Sequence, residues 1–370
     1  MQYKSSEIAL VHDHLNQFGG AERVLKVLAD MWEDAPIYTS VFHHSLQNVF
    51  ENKKIYTSFL QSLTLKGKFI KPYLPLVKTA FENFDFKPYR LIISSSSGLA
   101  KCVIPPPGSL HICYCHTPTR YLWSDTKEYL DGHRMPHIFR RCLEMYLSSL
   151  RSADFAAAQR VDLFLANSRT VAERIKTYYR RDSIVVYPPV DTDRFSSFVP
   201  LKDLGSYWII VSRLQAYKKV DMAIQAFNRL KIPLYVIGSG PEEHRLKKMA
   251  RSHIKFFGKV NDEFRDTLLQ NARGLIHPQA DEDFGITLVE SLAAGRPVIA
   301  YKSGGPTETL IPGITGEFFT EHSWEALADA VIRFDYTKYN PYDCQMRAHS
   351  FSRTAFVTRM HYVISTLRGN

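Results

Sequence analysis

The sequence predicts an α/β protein made of two doubly wound, parallel-sheet domains in tandem. Three observations carry that expectation. Short β-rich runs alternate with helical patterns over most of the 370 residues, as in parallel sheets crossed by helices. A double proline in Tyr187-Pro188-Pro189-Val190 breaks the rhythm near the middle, because proline cannot continue a strand ladder. After a connector from Asp191 to Ser206 the same alternation restarts. The chain therefore divides into 1–190, 191–350 and a C-terminal helix over 351–370 that returns to the N-terminal domain. Ligands of open α/β sheets sit beyond the carboxyl ends of the strands. Two such domains facing each other place a pocket in a central cleft.

In the first half, Ile8–His12 reads as a strand ending at the Gly19-Gly20 turn. A helix follows from Ala21 to Met31 with Val24, Leu25 and Leu28 on one face. Strands are expected at Ile37–Phe42, Arg90–Ser95, Leu110–Cys115 and Asp162–Ala166, and helices at Pro136–Gln159 and Thr170–Tyr179. In the second half the strands are Tyr207–Ser212, Pro233–Ile237, Ile254–Phe257, Gly274–His277 and Pro297–Tyr301. Helices fall at Val220–Leu230, Glu242–Ala250, Glu263–Asn271, Ile286–Ala294 and Trp324–Phe334.

Composition narrows the class. A chain that is 45% hydrophobic and 23% charged is neither disordered nor fibrous. No apolar run approaches the roughly 18–20 residues that span a bilayer, and the first residues carry no basic-then-apolar leader pattern. A cytoplasmic location is expected. The 5 cysteines (Cys102, Cys113, Cys115, Cys142 and Cys344) form no C-x-x-C pair and read as small buried apolar groups. Net charge of +10 points to an acidic partner: nucleic acid, anionic lipid or a phosphorylated small molecule.

Four loops of the second half each follow an expected strand and open on one sheet edge. In Ser212-Arg213-Leu214-Gln215-Ala216-Tyr217-Lys218-Lys219, two cations flank a turn into a helix. A guanidinium fork and an ammonium beside free helix N–H groups suit a diphosphate; solvated surface charge is the competing reading. Gly238 and Gly240 allow close backbone approach, or a plain tight turn. In Asp281-Glu282-Asp283-Phe284-Gly285-Ile286-Thr287-Leu288-Val289-Glu290, Gly285 turns the chain into a helix striped by Leu288, Val289, Leu292 and Ala293. Glu282 in the loop and Glu290 one turn into the helix can each accept two hydroxyl hydrogen bonds, which suits vicinal diols. The alternative makes them solvated or dipole-favoured acids. The fourth loop is the Gly304-Gly305 turn.

Taken together, these stretches resemble the C-terminal signature of retaining family-4 glycosyltransferases, whose GT-B fold pairs two Rossmann-like domains. Glu282 and Glu290 match that family's E-x7-E motif, and Arg213 and Lys218 its diphosphate-binding pair. Gly19-Gly20-Ala21-Glu22-Arg23 matches its N-terminal Gly-Gly loop. Ala166-Asn167-Ser168 and Tyr187-Pro188-Pro189-Val190-Asp191 match the segments leading to its second domain. Lys219 departs from the pattern, since many members have glycine there. The resemblance covers nearly the whole chain except about 53–86.

The resemblance implies the roles. Arg213 and Lys218 neutralise the leaving diphosphate, and Glu282 binds the sugar hydroxyls. Glu290 holds the ribose, and backbone near Gly285, Ile286 and Thr287 holds the donor. Gly19, Gly20 and Gly238 let loops approach it. His116, in Cys115-His116-Thr117-Pro118, is similar to the family's active-site histidine facing the donor sugar. Catalysis thus falls to His116, Arg213, Lys218 and Glu282, with no cofactor and no metal. The first domain takes the acceptor and the second the nucleotide sugar. Cys115 to Trp123 resembles bacterial surface-polysaccharide mannosyltransferases, which implies GDP-mannose as donor and a glycan or polyprenyl-diphosphate-linked acceptor. Other nucleotide-sugar donors (UDP- or dTDP-hexose) and an epimerase are the alternatives.

Between Lys53 and Arg90, basic residues (Lys53, Lys54, Lys66, Lys68, Lys71, Lys78, Lys87, Arg90) mix with many aromatic and aliphatic ones. That mixture suits peripheral contact with an anionic membrane surface or an ordinary helix pair with a basic face. Nucleic-acid binding is disfavoured because no recognition motif appears. A dehydrogenase is disfavoured because no G-x-G-x-x-G follows a first strand.

Overall fold

The computed structural model describes residues 3–64, 73–131, 136–195, 197 and 199–367. Its contacts form two compact units, Met1–Tyr187 with Val357–Asn370, and Pro188–Phe356.

Unit 1 runs β1 (Ile8–His12), α1 (Gly20–Met31), β2 (Ile37–Thr39), β3 (Ile55–Thr57), α2 (Leu60–Leu63), α3 (Leu74–Glu82), β4 (Leu91–Ser96), β5 (Leu110–Cys115), α4 (Thr126–Asp131), α5 (His137–Gln159), β6 (Leu163–Ala166), α6 (Arg169–Tyr179) and β7 (Ser183–Val185). The seven strands form one parallel sheet in the order β3-β2-β1-β4-β5-β6-β7. β1 is buried along its whole length, which is why Ile8–Val11 is continuously apolar rather than alternating. α1 lays Val24, Leu25 and Leu28 into the core as its spacing requires. α6 begins at Ser168, whose hydroxyl accepts the Val171 N–H at 3.0 Å, a cap worth about 1 kcal/mol. Cys113 and Cys115 pack in one apolar cluster with Phe164 and Ile175.

Unit 2 repeats the plan with β8 (Trp208–Val211), α7 (Val220–Leu230), β9 (Leu234–Ile237), α8 (Glu243–Met249), β10 (Ile254–Gly258), α9 (Asp262–Gln270), β11 (Leu275–His277), α10 (Ile286–Ala293), β12 (Val298–Tyr301), α11 (Pro306–Thr309), β13 (Gly316–Phe319), α12 (Trp324–Arg333) and α13 (Pro341–His349). Its parallel sheet has the order β10-β9-β8-β11-β12-β13. α14 (Arg353–Thr366) then takes the chain back into unit 1. In each sheet the strand order reverses once, between β1 and β4 and between β8 and β11. Those reversals are the switch points at which doubly wound sheets bind ligands.

Some elements differ from expectation. The strand expected to reach Phe42 ends at Thr39, because the backbone there turns to the loop after β1. The Ser40 N–H donates to the Asp13 carbonyl at 3.3 Å and the Leu15 N–H to the Val41 carbonyl at 2.9 Å. Strands β3 and β13 and helix α13 were not legible in advance. In the basic, aromatic stretch, residues 65–72, which include Lys66, Lys68 and Lys71, lie outside the described residues. Of the remainder, Tyr56, Tyr73, Leu74, Phe81 and Phe84 belong to the unit 1 core, while Phe59, Leu63 and Leu76 stay exposed.

Candidate functional site

In unit 2 the loops after β8 and β11 flank the switch point. The Lys218 ammonium, from the β8 loop, lies 2.9 Å from Glu282 Oε2 of the β11 loop. His277, the last residue of β11, puts Nε2 3.5 Å from the same oxygen. The Glu282 side chain is 14% exposed. Burial alone raises its carboxyl, but Lys218 and then His277 outweigh burial and hold it well below the usual carboxylate range. In the same loop, three residues before Glu282, the buried Gln279 Oε1 finds no hydrogen-bond partner among the described residues. Orphaned acceptors of this kind are uncommon in native interiors.

Glycines fix where Glu282 stands. A Cβ on Gly304 would lie 2.3 Å from the Glu282 carbonyl oxygen, and one on Gly305 2.4 Å from Phe284 Cα. The Gly305 N–H donates to the Glu282 carbonyl at 2.8 Å. The Gly304-Gly305 turn is thus a bed on which the Glu282 loop rests. Gly285, at φ +88°, caps the start of α10. Gly238 packs against the Ser212 carbonyl, so it supports the β8 loop from below. Lys219, in the position where the family favours glycine, adopts φ +52°, a left-handed conformation costing a side chain about 1–2 kcal/mol.

Of the four expected charged groups, Lys218 and Glu282 are in direct contact, while Arg213 and Glu290 have other partners. Arg213 is exposed and donates to the Tyr217 hydroxyl at 3.0 Å. Glu290, 5% exposed on α10, places Oε1 3.0 Å from Arg194 Nη2 and 3.6 Å from Arg265 Nη2. Its Oε2 has no partner among the described residues. Arg194 also lies 3.2 Å from Asp266. Ile286 and Thr287, in the first turn of α10, are half-buried. Sequence reasoning missed His277, Arg194 and Arg265. Only His277 had a signal, as a polar residue ending a buried strand.

In unit 1 the loops after β1, β4 and β5 meet at the other switch point. The Asp13 carboxylate accepts N–H bonds from Ser97 (2.7 Å), Gly98 (2.9 Å) and Ala100 (2.7 Å). Burial raises its carboxyl, but His14, His12 and those N–H groups hold it below the usual range. His116 follows β5, is 9% exposed, and is pushed down to about 4 by burial and then by His12. Its Nε2 lies 2.8 Å from Ser95 Oγ, and Ser95 Oγ lies 3.2 Å from His12 Nδ1. The Gly19 N–H donates to Glu22 Oε2 at 2.8 Å, which holds the Gly19-Gly20 turn at the start of α1. Beneath them, Lys101 and Asp154 form a fully buried pair at 2.5 Å. Lys101 also donates to the Gly98 carbonyl at 2.7 Å.

Two family models match in succession. The one described as Glycosyltransferase Family 4 covers residues 18–194, and the one described as Glycosyl transferases group 1 covers 191–336. The chain is 23% identical over 383 residues to the alpha-1,3/1,6-mannosyltransferase ALG2 of Candida glabrata, covering 83% of this chain and 78% of that protein. It is 29% identical over 133 residues to the O-antigen chain mannosyltransferase C of Escherichia coli, covering 34% of this chain and 36% of that one. Among solved structures, Anabaena Alr3699/HepE in complex with UDP-glucose has a TM-score of 0.71 at 17% identity, over 97% of this chain and 100% of that chain. With two doubly wound units in series and both family models matched along them, the chain belongs to the family-4 glycosyltransferases of GT-B fold and is a hexosyltransferase.

Proposed function

We propose that this enzyme transfers mannose from GDP-mannose, with retention at the anomeric carbon, to a glycan or lipid-linked glycan acceptor in surface-polysaccharide synthesis. The observation that carries the reading is the Lys218–Glu282 contact at the unit 2 switch point, in a loop that also holds the unpartnered Gln279 Oε1. A nucleotide sugar brings both a diphosphate for the ammonium and hydroxyls for the carboxylate. On arrival the diphosphate takes over Lys218, and Glu282 exchanges one cation for sugar hydroxyls. Lys218 and Arg213 then stabilise the charge that develops on the leaving diphosphate as the glycosidic bond breaks. That work falls to side chains, so the reading assigns no metal ion and no cofactor.

The donor's other contacts follow. Glu290 offers its free Oε2 to the ribose diol while Oε1 stays with Arg194 and Arg265. The N–H groups of Ile286 and Thr287, free in a helix's first turn, face the donor, with Gly285 and Gly238 shaping the loops. Gly19 and Gly20 approach the phosphates, and His116 meets the donor sugar. Mannose is favoured by the two mannosyltransferases to which the chain is similar. A UDP-hexose donor is the second reading, favoured by the UDP-glucose in the HepE complex.

A thermal-shift panel of GDP, UDP, dTDP and ADP with their common sugars tests the donor. GDP-mannose is expected to give the largest shift, and Glu290→Ala to remove it. A larger response to UDP-hexoses replaces the donor and keeps the enzyme class.

Exposed Phe59, Leu63 and Leu76, together with the basic residues around them, support peripheral attachment to the inner face of the cell membrane. No helix among the described residues is long and apolar enough to cross a membrane. Flotation with anionic vesicles at low salt is expected to carry the protein upward. Protein left wholly in the dense fraction ends the idea.

A further inference from the structure

The groups around His116 form one chain of polar contacts within unit 1. Glu22 Oε2 caps the Gly19 N–H, and Glu22 Oε1 lies 3.6 Å from His12 Nε2. His12 Nδ1 lies 3.2 Å from Ser95 Oγ, which lies 2.8 Å from His116 Nε2. Every member is at least nine-tenths buried: Glu22 5%, His12 2%, Ser95 0% and His116 9% exposed. Water therefore does not relax the order of donors and acceptors along it.

That order is determined by counting protons. Glu22 accepts from Gly19, so it is the acceptor end of the chain. His12 turns Nε2 towards this carboxylate, where a lone pair is repelled and an N–H is attracted. While His12 carries a single proton, its Nδ1 is then a bare acceptor, whereas a second proton on His12 would reverse every donor and acceptor along the chain. Ser95 has a single hydroxyl proton, and only by donating it to Nδ1 is that nitrogen satisfied. The Ser95 oxygen is left as acceptor towards His116, so Nε2 of His116 must carry the proton. Nδ1 of His116, which has no partner among the described residues, is left as a lone pair.

We propose that Glu22, His12 and Ser95 are positioning residues that hold His116 as its Nε2–H tautomer, so that its open nitrogen receives a hydroxyl proton from the bound sugar and donates none. The inference deepens the proposed role of His116 at the donor sugar and rests on that role for its function. The tautomer itself follows from unit 1 alone, with His12 singly protonated. It makes His116 selective for a hydrogen-bond donor. A sugar hydroxyl fits Nδ1, whereas a ring oxygen or phosphate oxygen meets lone pair against lone pair. Through Glu22, the same chain also ties the His116 ring to the Gly19-Gly20 turn. Asp13 also acts on His116, the Tyr114 ring packs edge-on against it at 5.2 Å, and His14 faces Asp13, His12 and Glu22.

Long-range proton–nitrogen NMR on protein labelled with 15N-histidine, at about pH 8 where free imidazole is neutral, reads the tautomer directly. His116→Gln identifies the signal among the 14 histidines. The expected wild-type pattern is a pyrrole-type Nε2 and a pyridine-type Nδ1. Ser95→Ala is expected to give a mixture of tautomers, with kcat/KM for the donor lower by about tenfold, the worth of one ordinary hydrogen bond. Ser95→Thr, which keeps the hydroxyl, is expected to restore both. A wild-type His116 protonated on Nδ1, or an unchanged tautomer in Ser95→Ala, overturns the proposal. The wild-type spectrum decides even if a variant fails to fold. Should the tautomer be as stated while His116→Gln transfers sugar normally, the role of His116 falls and the relay stands.

Discussion

Lys218→Ala is expected to lower kcat by about 10²–10³, the usual cost of removing one group that stabilises transition-state charge. The ammonium is the described cation nearest the Glu282 carboxylate, and its partner loop is fixed by backbone packing rather than by the pair itself. The charge therefore goes missing without a wholesale collapse of the loop. Lys218→Arg is expected to rescue poorly, because a planar fork cannot occupy the place of a compact ammonium 2.9 Å from Glu282. Removing the cation also strands a carboxylate that is 14% exposed, so some stability loss accompanies the variant. Adding Glu282→Gln separates the two effects. The double variant is expected to regain thermal stability and to stay inactive. Single-turnover rates at saturating donor make the measurement, and more than a tenth of the wild-type rate in Lys218→Ala would sink the assignment.

Lys101→Met is expected to destabilise unit 1 by about 3–5 kcal/mol, because it leaves a fully buried carboxylate without its cation. Asp154 is 0% exposed and also accepts from Trp123 Nε1 and the Tyr179 hydroxyl, at 2.8 and 2.9 Å. Burial pushes the Lys101 amine down, but Asp154 more than reverses this and holds it charged. At about 2–4 °C for each kcal/mol in a unit of this size, the melting temperature should fall by roughly 10 °C. Lys101→Met with Asp154→Asn removes the buried charge and keeps acceptors for Trp123 and Tyr179. It is expected to recover more than half the loss. Equal destabilisation in single and double variants would mean that packing, not charge, was lost.

The sequence disclosed most of the architecture because most elements are buried and long enough for their period to show. β1 is apolar throughout and α1 carries its stripe, and both read directly. Strand β3 is three half-buried residues inside a stretch rich in lysine and aromatic residues, so its neighbours hid it. β13 opens on Gly316 and exists by pairing with β12, which a local pattern does not record. At the site, Lys218 and Glu282 were legible because each stands in a loop after a strand of the same sheet. The partners of Glu290 were not. Arg194 comes from the connector after Pro189, far away in sequence, and nothing local says which of several acids it will choose. Arg213 shows the converse: its motif position was clear, but in the structure its side chain turns to Tyr217.

Unit 1 is not a continuous piece of chain, and this has a consequence for how the enzyme is made. Its closing segment, from Val357 onward, is translated only after the whole of unit 2. Met360 and Val363 of that segment are buried, and His361 and Ile364 line a cavity of about 260 Å³ with Ile8, Trp32 and Leu91. Until they arrive, the amino ends of β1 and β4 lack their cover. The nascent N-terminal sheet must wait with apolar surface open to solvent or to chaperones. A ribosome that stalls within unit 2 leaves behind a protein damaged at the opposite end of its own sequence.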